Sequence, residues 1–120
     1  MTTKEKGRLH LLSIAARDIA DIFGRMGFCI AYGPEIEDEF HNFTALNVPE
    51  DHPARDMQDT FWTRETPRRV LRTHTTSVTI RALEEMVKNN ETEKRMLAIG
   101  KVFRNEATDA THEAQFYQYD

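Results

Sequence analysis

Gly100-Lys-Val-Phe-Arg-Asn-Glu-Ala-Thr-Asp-Ala-Thr-His-Glu-Ala-Gln-Phe-Tyr-Gln-Tyr-Asp120 is the stretch that decides how the chain of 120 residues is read. The apolar run Met96-Leu-Ala-Ile99 leads into it, and the pattern predicts a strand over 96–104, a polar loop over 105–113 and an antiparallel return over 114–120. Arg104 and Glu106 stand where the first strand meets the loop. His112, Phe116 and Asp120 then recur at a spacing of four, and side chains alternate along a strand, so Phe116, Gln118 and Asp120 share one face. A guanidinium can grip a phosphate, an aromatic face can stack on a base, and acids can orient amine or metal partners. Arg104 and Glu106 by themselves also fit a surface ion pair at a hairpin mouth. An aromatic, an amide and a carboxylate on one face of the returning strand are not core chemistry, and together they read as the floor of a site.

Working outward from this hairpin, Leu12, Ala15, Ala16, Ile19, Ile22, Phe23 and Met26 recur at helical spacing, which predicts an amphipathic helix over about residues 9–26 with Gly27 as its cap. Phe28 to Tyr32 reads as a short strand closed by Gly33-Pro34, and Glu35 to Leu46 as a second, shorter helix. Residues 47–69 hold three of the chain's four prolines, which excludes continuous helix. Connections of that length are functional or disordered, and Met57, Phe61 and Trp62 argue for order. Val70-Leu71 begins a strand. Thr75 or Thr76 is expected to cap a helix running to about Val87, with Ile80, Leu83 and Val87 facing inward and Asn89-Asn90 ending it. The order of elements predicts an α+β fold, an antiparallel sheet packed by helices, in one domain.

Thr73-His74-Thr75-Thr76-Ser77 is a second constellation, a histidine and hydroxyls at a strand-to-helix junction, where free N–H groups attract carboxylates and phosphates. Ordinary capping with a half-buried His74 explains it equally well. The five histidines, at 10, 41, 52, 74 and 112, lack metal-ligand spacing, and there is no P-loop, no dinucleotide-binding glycine pattern and no nucleophilic triad. Sixteen Lys+Arg against twenty Asp+Glu leave a net charge of −4. A mildly acidic chain without clustered cations is a poor nucleic-acid binder on its own, so an RNA partner calls for another chain or domain. Cys29 is the single cysteine, which excludes an intrachain disulfide. Met1 to Gly7 has no apolar leader core and no run approaches the ~20 apolar residues of a membrane span. A reducing cytoplasm and no membrane are the expectation.

Phe103-Arg104-x-Glu106, a loop, then His112-x-x-x-Phe116-x-x-x-Asp120 resembles signature motif 2 of class II aminoacyl-tRNA synthetases. Gly27-Phe28 with a strand and Pro34 after a long helix resembles motif 1. The words Gly33-Pro-Glu-Ile-Glu37, Asn42-Phe43, Ala45-Leu-Asn47, His52-Pro-Ala-Arg-Asp-Met57, Asp59-Thr-Phe-Trp62, Leu71-Arg-Thr-His-Thr75 and Asp109-Ala-Thr-His112 look like the alpha-subunit family of phenylalanyl-tRNA synthetases. The resemblance covers about residues 7 to 120.

It implies that phenylalanine's carboxylate attacks the α-phosphate of ATP, giving an adenylate and pyrophosphate, and that the aminoacyl group then passes to tRNA(Phe). By this resemblance Arg104 grips the α-phosphate and the substrate carboxylate, Glu106 fixes adenine or the substrate amine, His112 reaches the outer phosphates and Phe116 stacks on adenine. Arg104 and Glu106 are the catalytic pair. His74, Thr76, Gln118 and Asp120 surround the amino acid, and Pro34 belongs to a subunit interface. ATP is the co-substrate and Mg2+ shares the charge, with its ligands expected outside these residues. The implied partner is a beta subunit in an alpha2beta2 heterotetramer. Two positions depart from the family wording: Thr76 stands where Ser is usual and Asp120 where Glu is usual.

The resemblance also implies that residues 1–120 are the N-terminal part of a catalytic domain without motif 3, the Gly-rich strand and helix carrying a second phosphate-binding arginine. The chain alone is therefore expected not to aminoacylate tRNA. An open sheet edge at 114–120 and an uncovered helix face around Ile19 to Phe23 predict self-association. The competing readings are a synthetase-like binding module without catalysis and a relative of phosphoseryl-tRNA synthetase, against which Asp59-Thr-Phe-Trp62 favours phenylalanine.

Overall fold

The computed structural model describes residues 6–106 and 109–120. Residues 1–5 of the N-terminus and positions 107 and 108 of the motif 2 loop, both read above from sequence, lie outside the described residues. The first helix, α1 (Leu11–Arg25), forms where the amphipathic repeat predicts it, and the His10 ring accepts from the Leu12 N–H at 3.1 Å. Its end follows from Gly27, whose φ of +89° reverses the chain. The N–H of Phe28 then reaches the carbonyl of Phe23, and that of Gly27 the carbonyl of Gly24, a Schellman closure. Phe23 and Phe28 meet edge to face at 5.4 Å over that turn.

The chain continues into β1 (Cys29–Ala31), β2 (Ile36–Glu37), α2 (Glu39–Asn42), short 3-10 turns at Thr44–Leu46 and Pro53–Arg55, β3 (Val70–Leu71), α3 (Thr76–Lys88), β4 (Met96–Phe103) and β5 (Gln115–Tyr119). β4 is the centre of a three-stranded sheet ordered β1-β4-β5. It pairs antiparallel with β5, Gly100 opposite Gln118 and Val102 opposite Phe116. β1 joins its other side in parallel, Cys29 opposite Met96, and β2 pairs antiparallel with β3. The α+β, antiparallel-rich architecture is the one expected, with one parallel pairing because β1 reaches β4 through the long crossover that includes α3. Val70, Val78, Leu97, Ala98, Ile99, Val102 and Phe43 form the buried apolar core.

Two expectations need correction. Residues 35–46 are not one helix. Ile36 and Glu37 are drawn into a strand with β3, and the Asp38 carboxylate caps the next turn by accepting from the His41 N–H at 2.8 Å. Helix α3 does not turn Leu83 and Val87 inward, for they are 50% and 79% exposed. It docks through its first turns, where Ser77 and Val78 are buried, because a Cβ at Gly33 would come within 2.4 Å of the Val78 side chain, so Gly33 lets the two elements approach. The cap expected of Thr75 is positional only, since its hydroxyl makes no capping bond. Asn89-Asn90 does end α3, with Asn90 left-handed and Glu91 N–H on the Met86 carbonyl.

The 47–69 connection is ordered against the rest of the chain. The Trp62 indole N–H donates to the Arg55 carbonyl at 3.1 Å, and residues 61–63 run beside 69–71. The Arg55 guanidinium reaches Thr44 Oγ1 at 3.1 Å and the Val48 carbonyl, which binds the loop to the 3-10 turn below it.

Candidate active site

Arg104 leaves the end of β4 with its N–H on the Ala114 carbonyl at 2.9 Å, so the hairpin register sets where it points. Its Nε donates to the Thr73 carbonyl at 3.2 Å and its guanidinium carbon lies 5.3 Å from the centre of the Phe116 ring. The guanidinium is thus held on one side by backbone and on another by an aromatic face. Two cavities meet at it. One, of about 480 Å³, is lined by Phe43, Asp59, Thr73, His74, Arg104 and Glu106. The other, of about 410 Å³, is lined by Arg104, Glu106, Thr111, His112, Glu113 and Phe116.

The predicted face of β5 is present. Phe116 meets Arg104, Gln118 Oε1 accepts from the Thr75 N–H at 3.3 Å, and Asp120 Oδ2 accepts from the Thr79 hydroxyl at 3.3 Å. Gln118 and Asp120 therefore lie beside the first turns of α3, next to Thr76. His112 is exposed, and its Nδ1 is 2.9 Å from Asp109 Oδ1 inside a tight turn. The backbone N–H of Thr111, with the His112 ring, holds the Asp109 carboxyl below its ordinary range. Pro34 is exposed between β1 and β2 and lines neither cavity.

His74 is half-buried against the larger cavity, with Nε2 2.8 Å from the Asn42 carbonyl. Burial, aided by the nearby Arg104 charge, pushes its pKa below the ordinary histidine value and keeps the ring neutral. The loop of residues 57–59 is tied to the motif 2 turn by Asn105, whose N–H reaches the Asp59 carbonyl at 3.1 Å and whose amide reaches the Met57 carbonyl at 2.6 Å.

Three supporting residues carry no role in the sequence reading. Asn42 is fully buried and brackets Thr73, accepting from its N–H at 3.2 Å and donating to its hydroxyl at 3.1 Å. Arg72 is buried beneath the β5 face, donating to the Lys101 carbonyl at 2.7 Å and to the Tyr32 carbonyl at 2.5 Å. Asn105 is the third. Gly100 inside a strand was the signal for Arg72, since such a glycine marks a close approach by another group. Nothing comparable marks Asn42.

Among the described residues, one group of three metal-type ligands converges: Glu37, Asp38 and His41, with donor atoms within 4.8 Å of one another. It lines neither cavity. The Arg81 guanidinium already occupies the Glu37 carboxylate, and the His41 ring faces Asp38 and Glu84, so the cluster carries its own cations. Neither cavity brings three such groups together among the described residues. Asp59 and Glu106 line the larger one, and a magnesium ion that keeps its waters and takes substrate phosphate oxygens needs only one or two carboxylates.

The family model described as tRNA synthetases class II core domain (F) matches residues 1–120. The chain belongs to that family. Alpha subunits of phenylalanine–tRNA ligase from Cytophaga hutchinsonii, Leptospira biflexa and Bacteroides fragilis are each 49% identical to it, over 97%, 98% and 97% of its length. The chain spans about a third, 33%, of the length of each of these relatives. Among solved structures, pyrrolysyl-tRNA synthetase from Desulfitobacterium hafniense superposes with a TM-score of 0.75 at 21% identity, covering 91% of this chain and 37% of the other, a likeness of fold. No helix among the described residues is long and apolar enough to cross a membrane.

Proposed function

We propose that residues 1–120 are the N-terminal part of the catalytic domain of a phenylalanine–tRNA ligase alpha subunit, which activates phenylalanine with ATP and passes it to tRNA(Phe) in the cytoplasm. The observation that carries this reading is the placement of Arg104, braced between the Thr73 carbonyl and the Phe116 ring at the meeting of two cavities. A braced cation there suits an α-phosphate whose charge grows as the carboxylate attacks, and stabilisation of developing charge is the main protein contribution to such chemistry.

In this proposal Phe116 offers its face to adenine, while Glu106 and His112 take adenine or amine and the outer phosphates. The larger cavity, with His74 at its wall and Thr76, Gln118 and Asp120 at the adjoining first turns of α3, receives the amino acid. Magnesium arrives with ATP, the beta subunit of an alpha2beta2 assembly engages surfaces outside these cavities, and the terminal ribose of the tRNA reaches into them to take the aminoacyl group from the adenylate. The 120 residues by themselves are proposed to be inactive in aminoacylation.

The test is phenylalanine-dependent exchange of pyrophosphate into ATP by the full ligase. Arg104→Ala is expected to lower it by about 100-fold or more, the usual loss when one donor to developing charge is removed. Exchange within twofold of the parent would sink the assignment and favour a binding module without catalysis.

A further inference from the structure

We propose that Asn42 is a positioning residue for the site, holding Thr73 with its side chain and fixing His74 with its carbonyl as the tautomer protonated at Nε2. Three consecutive residues of the 73–75 segment are each pinned by a separate hydrogen bond. Thr73 lies in the Asn42 bracket, with N–H to Oδ1 at 3.2 Å and Oγ1 to Nδ2 at 3.1 Å. His74 Nε2 lies 2.8 Å from the Asn42 carbonyl, and the Thr75 N–H donates to Gln118 at 3.3 Å. The orientation of the Asn42 amide follows from the chemistry, because a backbone N–H can only donate and must face Oδ1.

The same logic assigns the histidine. A carbonyl can only accept, so Nε2 carries the proton, and a neutral imidazole then has Nδ1 as a lone-pair acceptor. Nδ1 makes no hydrogen bond among the described residues, and His74 borders the larger cavity. The ring is therefore set up to accept a hydrogen bond from a ligand donor rather than to give one. Burial and the Arg104 charge agree with a neutral ring.

Asn42 also reaches the phosphate-gripping residue at one remove. The Thr73 whose N–H and hydroxyl it holds presents its carbonyl to Arg104 Nε at 3.2 Å. Asn42 is fully buried at the end of α2, in a turn capped by Asp38. Its rigidity is thus built from a fixed turn and no solvent.

What the Nδ1 acceptor serves rests on the proposed ligase function, but the tautomer does not. The experiment is a long-range proton–nitrogen correlation spectrum of the histidine rings in the full chain labelled with nitrogen-15, between pH 7.5 and 8.5, without ligand. The expected result is a His74 ring protonated at Nε2 and unprotonated at Nδ1 across that range. Asn42→Ala removes both side-chain bonds to Thr73 but keeps the main-chain carbonyl at position 42, so it is expected to leave the proton on Nε2. It is expected to shift and broaden the His74 ring signals as the 73–75 segment loosens, and in the full ligase to raise the KM for phenylalanine about tenfold. Where Asn42→Ala does not fold, Thr73→Val removes the hydroxyl contact at constant shape and is read by the same spectrum, with a smaller shift and broadening expected.

A parent spectrum with the proton on Nδ1 overturns the proposal at once, whatever the variants do. A folded Asn42→Ala variant with parental His74 signals and a parental KM for phenylalanine overturns the positioning role of the Asn42 side chain. Neither result touches the Arg104 reading, and failure of pyrophosphate exchange to respond to Arg104→Ala leaves the tautomer assignment standing.

Discussion

A methyl group at position 100 would come within 2.0 Å of the Arg72 Nη2 atom, so glycine there is dictated by a neighbour and not by backbone freedom. Arg72 fills that space to donate to the Lys101 and Tyr32 carbonyls, and its own N–H and carbonyl pair with Glu35 and Phe103. One residue therefore joins the ends of β1, β2 and β3 to β4, directly below the Gln118 face. Burial presses its pKa down while Glu35 and Glu37 favour the charge. Gly100→Ala is expected to cost about 1–3 kcal/mol by overpacking, measured by urea unfolding. Arg72→Leu is expected to be destabilising through the two carbonyls it orphans, and the two losses are expected to fall short of additive in the double variant, because the clash disappears with the guanidinium. Strict additivity would show that the contact is not the reason for the glycine. Arg104, Glu106, His74 and Phe116 each had an ordinary structural reading in the sequence and stood out only as a group and through the family resemblance. The structure brings them to the walls of two adjoining cavities. Asn42 was not legible, because asparagine is mostly exposed and nothing in the sequence announces its burial. For Arg72 the one signal is the distant Gly100, which shows that something approaches but not which residue.

At the scale of elements, the part of the fold least legible in sequence is also the part that supports His74. Ile36, Phe40 and Phe43 have helical spacing, yet Ile36 and Phe40 stay largely exposed, and the decisive residues are polar. Buried Glu37 takes the Arg81 guanidinium of α3, while the His41 ring lies 2.8 Å from Asp38 and 3.0 Å from Glu84, with the Phe40 ring edge-on beside it. Carboxylates at both ring nitrogens call for an imidazolium, since each can only accept. Burial alone would lower the His41 pKa, but the bonds to Glu84 and Asp38 outweigh it and the net shift is upward. For Asp38 burial opposes and the His41 N–H and ring outweigh it, giving a net downward shift. A raised histidine pKa contributes stability that is whole below the ordinary value of 6.5 and is lost as pH rises through the raised folded value. A lowered carboxyl pKa contributes above its ordinary 3.8 and is lost as pH falls through the folded value. The clasp between α2 and α3 is thus strongest between those two values. His41→Gln is expected to cost about 1 kcal/mol at pH 6, a modest figure because Asp38 and Glu84 are half-exposed, and to cost progressively less toward pH 9. A cost by urea unfolding that does not change across that range would mean His41 acts by packing alone.

For the molecule as a whole, the informative quantity is surface. A compact monomer of this mass exposes about 6,700 Å² and has a radius of gyration of about 14 Å. This chain exposes 8974 Å² with a radius of 17.3 Å, an excess of about 2,300 Å². That excess is the size of a stable protein interface. Exposed apolar side chains lie on α1, none of whose residues is fully buried: Leu11 is 79% exposed and Ile22 56%. β1 and β5 add two open sheet edges among the described residues. The amphipathic repeat made α1 visible in the sequence, but a repeat cannot say whether its apolar stripe is covered by the same chain or by another. Here the sheet covers only part of it, with Ile19 and Phe23 half-buried and Ile22 facing out. The isolated chain is therefore expected to self-associate at micromolar concentration in sedimentation velocity. Leu11→Lys with Ile22→Lys is expected to shift it toward monomer while leaving the unfolding free energy within about 0.5 kcal/mol, because both side chains are exposed and a surface change away from caps and packing has little effect on the fold. If the parent sediments as a sharp monomer at high concentration, the excess surface is tolerated in water and α1 is not an adhesive face. If the double variant unfolds more readily by several kcal/mol, the stripe is buried within the chain more than its exposure indicates.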